Sequence, residues 1–253
     1  MRVVTTADPE SELLAQLYSA ALRYYGTPSD VDTVPDPLGA LDSGAVTVVP
    51  GFTGRLLRTL APGSTARSER QVYRAMVSAL PEGIAAGDYS SSTEDKPALA
   101  VTETTAKQWG SRDLAGLVPH CAGLTVGAVE GGATPTAVGT CTLPDLRRFP
   151  DEAVMFDALR SGAITAAWTT TAAVGVPDGL VVLADRKPEL VPAENVVPLY
   201  RRNELGEFQL RAVNELAGAL DTAALVDMRR QVAAGADPRS VAEGWLANNP
   251  LGR

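Results

Sequence analysis

The sequence predicts an α/β protein built from two lobes and followed by a helical C-terminal segment. Strand and helix patterns alternate from residue 2 to about residue 102, and the alternation starts again between about residues 113 and 200. From Gly206 onward the pattern is almost wholly helical. Alternating strands and helices are typical of lobes with mostly parallel strands. The C-terminal helices need a core to pack on, and the first lobe is the expected partner.

The chain opens with a predicted strand and a well-marked helix. Residues 2–6 are a short β-branched run, and Asp8 and Pro9 are typical of a helix N-cap and first helical residue. Apolar residues then recur at helical spacing as far as Tyr24, and Gly26 suits the C-terminal end. The other elements predicted for this lobe are a strand at 45–49 bounded by Pro50, a turn leading into a helix over 51–60, a helix over 68–80 and a strand at 99–102.

The second lobe is predicted from a new series of apolar segments. They are a helical turn at 111–117, an apolar segment at 124–129, a helix over 152–160 and strands at 163–168 and 180–183. The C-terminal segment is predicted to hold helices over 208–219 and 222–234 and a third one capped by Asp237.

Composition excludes several classes of protein. The chain has 253 residues, with 22 Lys and Arg against 30 Asp and Glu, for a net charge of −8. This sign is wrong for a protein that neutralises phosphates, so we expect no nucleic acid partner and no anionic membrane surface. No apolar run approaches the roughly 18 residues of a membrane span, and the N-terminus has no signal-peptide core. We therefore expect a soluble chain, and an exported protein would have a signal segment that this sequence lacks.

Cysteine and histidine are scarce. His120, Cys121 and Cys141 supply three N or S groups, whereas a structural zinc site needs four, so no metal is expected. Two readings remain for the cysteines. They are either free buried thiols or a disulfide, which would close a loop worth about 3 kcal/mol and indicate an oxidising compartment.

No motif demands catalysis or a cofactor. The chain contains none of the nucleophile-elbow, P-loop or dinucleotide-binding glycine patterns. A Cys121 nucleophile with His120 as base is disfavoured, because adjacent side chains rarely converge on one substrate atom. Asp185, Glu189 and Glu194 are compatible with an acid and base pair but equally with a solvated loop. The sequence therefore predicts a protein that is not an enzyme and needs no cofactor.

Two aromatic residues stand where ligands of α/β sheets usually bind. Phe52 lies between a predicted strand and a predicted helix, and Trp168 ends another predicted strand. In two lobes, these positions are expected to face each other across a ligand cleft. Core packing is the alternative for both rings.

The order of these segments resembles the substrate-binding proteins of osmoprotectant ABC importers, the family that binds glycine betaine, choline and carnitine. The similarity is collinear over nearly the whole chain, although each motif alone is short. The matching segments are Thr5 to Leu17 for a Thr-Glu-Gln helix, Pro50-Gly51-Phe52-Thr53-Gly54 for Pro-Glu-Tyr-Thr-Gly, Pro97 to Val101 for Tyr-Ala-Leu-Ala-Val, Met155 to Leu159 for Met-Tyr-x-Ala-Leu, Trp168 to Thr171 for Tyr-Ser-Thr-Asp, and Leu180 to Asp185 for Leu-Val-Val-Leu-x-Asp.

The resemblance implies a type II-like periplasmic-binding-protein fold, in which two lobes close on a ligand. The lobe boundaries it suggests are 1–97 plus 202–253 for lobe I and 98–201 for lobe II. Ligands of this family sit in an aromatic cage, where each ring face attracts a quaternary ammonium by roughly 0.5 to 2 kcal/mol. By position, Phe52 and Trp168 would be cage walls, Thr53 a polar contact and Asp95 an acidic cleft residue.

The chain departs from the family pattern at several ligand positions. Pro97 stands where one cage tyrosine is expected, and Glu194 or its neighbours where another would be. Ser11 replaces a glutamine, and Thr171 replaces an aspartate. Residues 128–140 contain no arginine for a betaine carboxylate. A reduced cage of this kind is expected to hold glycine betaine poorly, so the fold is better supported than the ligand.

The sequence therefore predicts an extracytoplasmic, monomeric solute-binding protein that delivers a quaternary-amine osmolyte to an ABC importer permease. The alternative within this fold is a polyol or polyphenol, stacked on Trp168 and hydrogen-bonded by Thr53, Thr169 and Thr170. Two further alternatives are a two-lobe small-molecule enzyme, which would need an activated nucleophile, and a regulator effector domain, which would need a DNA-binding segment.

Overall fold

The computed structural model describes residues 1–132 and 134–252. Its strands are β1 Arg2–Thr5, β2 Asp30–Thr33, β3 Val48–Phe52, β4 Ile84–Ala86, β5 Pro97–Thr102, β6 Val126–Val129, β7 Ala137–Val138, β8 Cys141–Thr142, β9 Arg147–Phe149, β10 Ala166–Thr170, β11 Leu180–Val182 and β12 Val196–Arg201. Its α-helices are α1 Pro9–Tyr24, α2 Pro37–Asp42, α3 Thr53–Leu60, α4 Glu69–Ser78, α5 Glu103–Trp109, α6 Glu152–Arg160, α7 Glu207–Ala219, α8 Thr222–Ala233 and α9 Pro238–Asn248, and a 3-10 helix spans Leu114–Gly123.

Residue contacts divide the chain into two units. Unit 1 contains Met1–Glu94 and the C-terminal segment from Glu194, and unit 2 contains Asp95–Ala193. The boundaries expected from sequence, after residues 97 and 201, lie later in the chain than the observed boundaries after Glu94 and Ala193. The larger difference arises because β12 pairs with β3 and β4 in the sheet of unit 1.

Unit 1 is organised around a sheet with strand order β2-β1-β3-β12-β4. Helix α1 begins where sequence predicts, because the Asp8 carboxylate accepts a hydrogen bond from the Ser11 amide and Pro9 occupies the first turn. One side of α1 is packed against β1 and β3, and it also contacts α7, α8 and α9. The C-terminal helices therefore pack in the first unit, as expected.

Unit 2 has a second sheet with strand order β11-β5-β10-β6-β9 and apolar side chains on both faces. One cluster contains Leu99, Ala166 and Trp168. The other contains Ala100, Ala167 and several residues of α6. Neighbouring strand residues alternate between the two clusters, because side chains of a strand point to opposite faces in turn. Helix α6 spans the predicted 152–160.

The expectation of mostly parallel strands is wrong. In unit 1, β3 runs parallel to β1 but antiparallel to β12, and in unit 2, β10 runs parallel to β6 but antiparallel to β5. Both sheets are therefore mixed. Alternating strands and helices indicate crossover connections, but they do not reveal where a long detour of the chain returns a strand in the opposite direction.

Strand β3 also differs from its prediction, because it begins at Val48 and continues through Pro50 to Phe52. Pro50 lies opposite Pro198 of the antiparallel neighbour β12. Residues opposite each other in an antiparallel pair exchange hydrogen bonds only at alternate positions. Two prolines can face each other at a position that exchanges none, so the strand continues through a residue that usually ends one. Phe52 is thereby the last residue of the strand.

Candidate ligand-binding site

The junction between β3 and α3 in unit 1 carries the first candidate residues. Phe52 has an extended backbone, immediately precedes α3 and is 3% exposed. Thr53 is fully buried, and its Oγ1 accepts a hydrogen bond from the Asn195 amide at 3.1 Å. The Thr53 amide donates in turn to the Asn195 carbonyl at 2.9 Å. The Thr53 hydroxyl thus connects α3 to the segment entering β12.

Glu194 supplies the helix cap that Phe52 lacks. Its buried carboxylate accepts from the Arg55 amide at 2.7 Å and from the Arg58 guanidinium at 2.8 Å. A carboxylate at this place binds an otherwise unpaired amide and interacts favourably with the helix dipole. Burial raises the pKa of Glu194, against the opposing effects of Arg58 and Arg55. Glu194 therefore acts as a structural anchor for α3.

A cation already lies on the Phe52 ring. The Arg55 guanidinium carbon is 4.4 Å from the ring centroid, within the range of a cation–π interaction. The same guanidinium forms an ion pair with Glu10 at 2.8 Å, and Glu10 also pairs with Arg229. Burial lowers the pKa of Arg229 to about 10, while Asp8 acts in the opposite direction. Arg55 was not identified from the sequence, because its neighbouring residues do not indicate that its guanidinium lies over the Phe52 ring.

Ser11 is part of the first turn of α1. Its amide donates to the Asp8 carboxylate at 2.9 Å, and its side chain also bonds to Asp8. Burial acts to raise the pKa of Asp8, but the hydrogen bonds from Thr6 and Ser11 outweigh it, so the pKa is lowered. Ser11 thus completes a helix cap in the structure.

In unit 2, the candidates on β10 point to different faces of the sheet. Trp168 is 4% exposed and belongs to the apolar cluster that contains Leu99 and Val126. Thr169 points to the opposite face, as the alternation along the strand requires. Thr170 is half-buried at the strand end. The structure therefore does not bring Trp168 and Thr169 together on one surface.

Two polar atoms of β10 are buried without a hydrogen-bond partner among the described residues. They are the indole Nε1 of Trp168 and the Oγ1 of Thr169. A buried polar group without a hydrogen bond costs about 1–3 kcal/mol.

Acidic residues of unit 2 have distinct environments. Asp95 is 2% exposed, and its charge adds to the effect of burial in raising the pKa of Glu152. Asp185 forms a buried ion pair with Lys96 at 2.5 Å and accepts a hydrogen bond from the Leu190 amide at 2.9 Å. Asp185 therefore stabilises its own loop and is not a solvated charge. Its ion-pair partner Lys96 was not identified from the sequence.

Cys121 and Cys141 form a disulfide, with their Cα atoms 5.6 Å apart. Of the two readings left open by the sequence, the structure has the bridged one. The ring of His120 stacks on Trp109 with the centroids 5.1 Å apart. With Cys121 in a disulfide, neither thiol is available as a nucleophile.

Residues 1–132 and 134–252 contain no cluster of three or more His, Cys, Asp or Glu side chains arranged to hold a metal ion. Over the same part of the chain, no helix combines the length and the apolar character that crossing a membrane requires.

Comparison with solved structures first identifies the fold. Unliganded YehZ from Escherichia coli superposes with a TM-score of 0.73 at 19% identity, covering 99% of this chain and 98% of that one. A glycine betaine/carnitine/choline ABC transporter structure gives 0.74 at 16% identity, covering 98% of each chain. Lactococcal OpuAC in its closed, glycine betaine-bound conformation gives 0.57 at 13% identity, covering 98% of this chain and 94% of that one. The fold is that of a two-lobe type II periplasmic binding protein.

The sequence comparison is more specific. Residues 151–248, less than half of the chain, match the family described as the substrate binding domain of the ABC-type glycine betaine transport system. No curated protein matches the chain by sequence. This part of the chain is therefore similar to the substrate-binding domains of ABC transporters of this type. The matched family and the solved relatives are binding proteins, and the family is extracytoplasmic or anchored to the membrane.

Proposed function

We propose that this protein captures a quaternary-amine osmolyte, such as glycine betaine or choline, outside the cytoplasm and delivers it to an ABC importer permease. The family match over residues 151–248 and the relatives crystallised as glycine betaine or choline binding proteins support this ligand class. We further propose that the protein acts as a monomer, which light scattering of the purified protein would test.

The single observation that carries the proposal is the cation on Phe52. A guanidinium carbon 4.4 Å from the ring centroid marks this ring face as a place where a positive charge is stabilised. A trimethylammonium group needs the same attraction, worth roughly 0.5 to 2 kcal/mol per ring. Phe52 is therefore the leading candidate for a direct ligand contact in unit 1.

The other candidates of unit 1 have positioning roles in this proposal. Thr53 and Glu194 fix the first turn of α3, which places Phe52 and Arg55. Ser11 holds the first turn of α1, to which Glu10 belongs. Substitution of these residues is expected to disturb ligand affinity through the position of the ring.

Calorimetric titration with glycine betaine, choline and carnitine tests the proposal. Phe52→Leu keeps an apolar side chain but removes the ring face, so we expect roughly 2- to 30-fold weaker binding. Phe208→Leu is the matched control, because Phe208 lies on α7 and is 66% exposed. Failure of the wild type to bind any quaternary amine at millimolar concentration would refute the ligand class, and an unchanged affinity in Phe52→Leu would refute the role of the ring.

A polyol or polyphenol is the second candidate ligand. It is favoured by the unpartnered Oγ1 of Thr169 and by the burial of Trp168 in the apolar core, which leaves fewer rings for a cage. If a hydroxylated ligand satisfies Thr169, then Thr169→Val should abolish the thermal stabilisation that this ligand produces. Thr104→Val, at an exposed position of α5, is the control. Equal stabilisation of both variants would exclude a role for Thr169.

A further inference from the structure

Arg55 is held over the Phe52 ring by contacts that fix both its ends. Its backbone amide donates to the Glu194 carboxylate at 2.7 Å, so the first turn of α3 is anchored. Its guanidinium pairs with Glu10 at 2.8 Å and stacks 4.4 Å from the ring centroid. The side chain is therefore placed over the ring by the fold, although 38% of its surface stays exposed.

The Phe52 ring and the Arg55 side chain that lies over it differ in solvent exposure. Phe52 is only 3% exposed, whereas the Arg55 side chain that lies on it is 38% exposed. A ligand cation that approaches this ring face meets Arg55 in the same place. Two positive charges repel each other, and a ring face within about 6 Å of one cation has no room for another. Occupation by the ligand therefore requires that the guanidinium move away.

We propose that Arg55 is a specificity-determining residue that competes with cationic ligands for the face of Phe52. This inference rests on the proposed use of that ring by a quaternary ammonium. By its own charge Arg55 lowers the affinity for choline-like compounds, and only a ligand with enough other contacts can displace it. The ion pair with Glu10 sets how easily the guanidinium leaves.

The neighbouring Arg58 offers a matched control. It lies one turn further along α3 and directs its guanidinium to the Glu194 carboxylate at 2.8 Å. Arg55→Gln and Arg58→Gln each remove one positive charge from the same helix. A general electrostatic effect on cationic ligands would therefore be similar in both variants, whereas competition for the ring would appear in Arg55→Gln alone.

Calorimetric titration of the full chain with tetramethylammonium and with choline tests this proposal. We expect Arg55→Gln to bind both probes about tenfold more tightly than the wild type, and Arg58→Gln to show no gain in affinity. Adding Phe52→Leu to Arg55→Gln should remove the gain. Glu10→Gln provides a second route, because it leaves Arg55 in place but loosens it, and a smaller gain is expected.

Several results would overturn the proposal. They are an unchanged or weaker affinity in Arg55→Gln, an equal gain in Arg58→Gln, and a gain that persists without Phe52. If Arg55→Gln fails to fold by circular dichroism, the absence of any gain in Glu10→Gln overturns it. The proposed function is judged separately on the wild type. Wild-type binding without a gain refutes only the competition, whereas a gain without wild-type binding refutes only the natural ligand class.

Discussion

Reducing the disulfide between Cys121 and Cys141 should destabilise unit 2 by an amount that follows from the loop it closes. The cysteines are 20 residues apart. In the chain-entropy model, a loop of this length lowers the entropy of the unfolded chain by about 11 cal/mol/K, which is about 3.3 kcal/mol at 25 °C. Reduction leaves both sulfur atoms in place, so it isolates this contribution from the packing of Cys141, which is 2% exposed.

The assay is urea unfolding followed by tryptophan fluorescence. Trp109 and Trp168 lie in unit 2, whereas Trp245 lies in unit 1, so Trp245→Phe restricts the signal to the unit that contains the disulfide. The fully reduced protein is expected to lose about 3 kcal/mol of unfolding free energy relative to the oxidised protein. The variant Cys121→Ala/Cys141→Ala should lose slightly more, because it also removes the buried sulfur of Cys141.

A loss below about 1 kcal/mol would refute this reasoning. It would mean that the unfolded chain between the cysteines is already restricted, so that the covalent bond adds little. A large loss that Trp245 reports in a variant without the two tryptophans of unit 2, but that is absent from Trp245→Phe, would also contradict the assignment of the effect to unit 2.

Three further predictions concern buried groups. Lys96→Met leaves the Asp185 carboxylate buried without its ion pair and should cost about 3–5 kcal/mol in urea unfolding, part of which Asp185→Asn in the same chain should restore; a loss under about 1 kcal/mol would contradict this. Burial raises the pKa of Glu194 above its usual value near 4.5, so its contribution to stability is complete below that pH and is lost as the pH rises through the folded pKa. Glu194→Gln should therefore flatten this fall in the unfolding free energy as the pH rises above about 4.5, and a profile parallel to the wild type would argue against it. Gly127→Ala places a Cβ 2.6 Å from the Cδ1 of Ile164 and should lower the unfolding free energy by about 1–3 kcal/mol, as measured by thermal unfolding. Gly123→Ala should be nearly neutral, because no atom lies within 4 Å of the added Cβ, and equal effects of the two substitutions would be inconsistent with overpacking.

The longer helices were predicted well because their signals are local, whereas the short helices α2 and α5 were not predicted. Asp8 and Pro9 marked the start of α1 from neighbouring residues alone, and the predicted helix over 152–160 is the observed α6. In such segments, the apolar spacing and the capping residue lie within one or two turns of each other. These elements can therefore be predicted without knowing what they pack against.

Strands were predicted less well because their pairing is not local. The sequence did not indicate β12, which contains Pro198, and the predicted strand at 45–49 stopped short at Pro50. Both prolines are tolerated because they lie opposite each other in an antiparallel pair. Edge strand β2, with the sequence Asp-Val-Asp-Thr, also lacks the apolar run that marks a buried strand.

For the candidate site residues, too, the position along the chain was predicted, whereas the surroundings of the side chain were not. The sequence places Phe52 between a strand and a helix, and the structure has it there. Trp168 met the same criterion, but its ring packs in the apolar core of unit 2. Position along a strand fixes where a residue lies, whereas the face to which it points depends on which side of the sheet is covered.

By itself, the sequence determined the α/β class, the longer helices, the N-caps of α1 and α9, the absence of an obvious catalytic motif and the resemblance to osmoprotectant binding proteins. Only the tertiary structure decided which charges and rings meet. Arg55 pairs with Glu10 from 45 residues away, and Arg58 pairs with Glu194 from 136 residues away. Such contacts depend on how the sheet brings distant segments together, and no local pattern of residues specifies them.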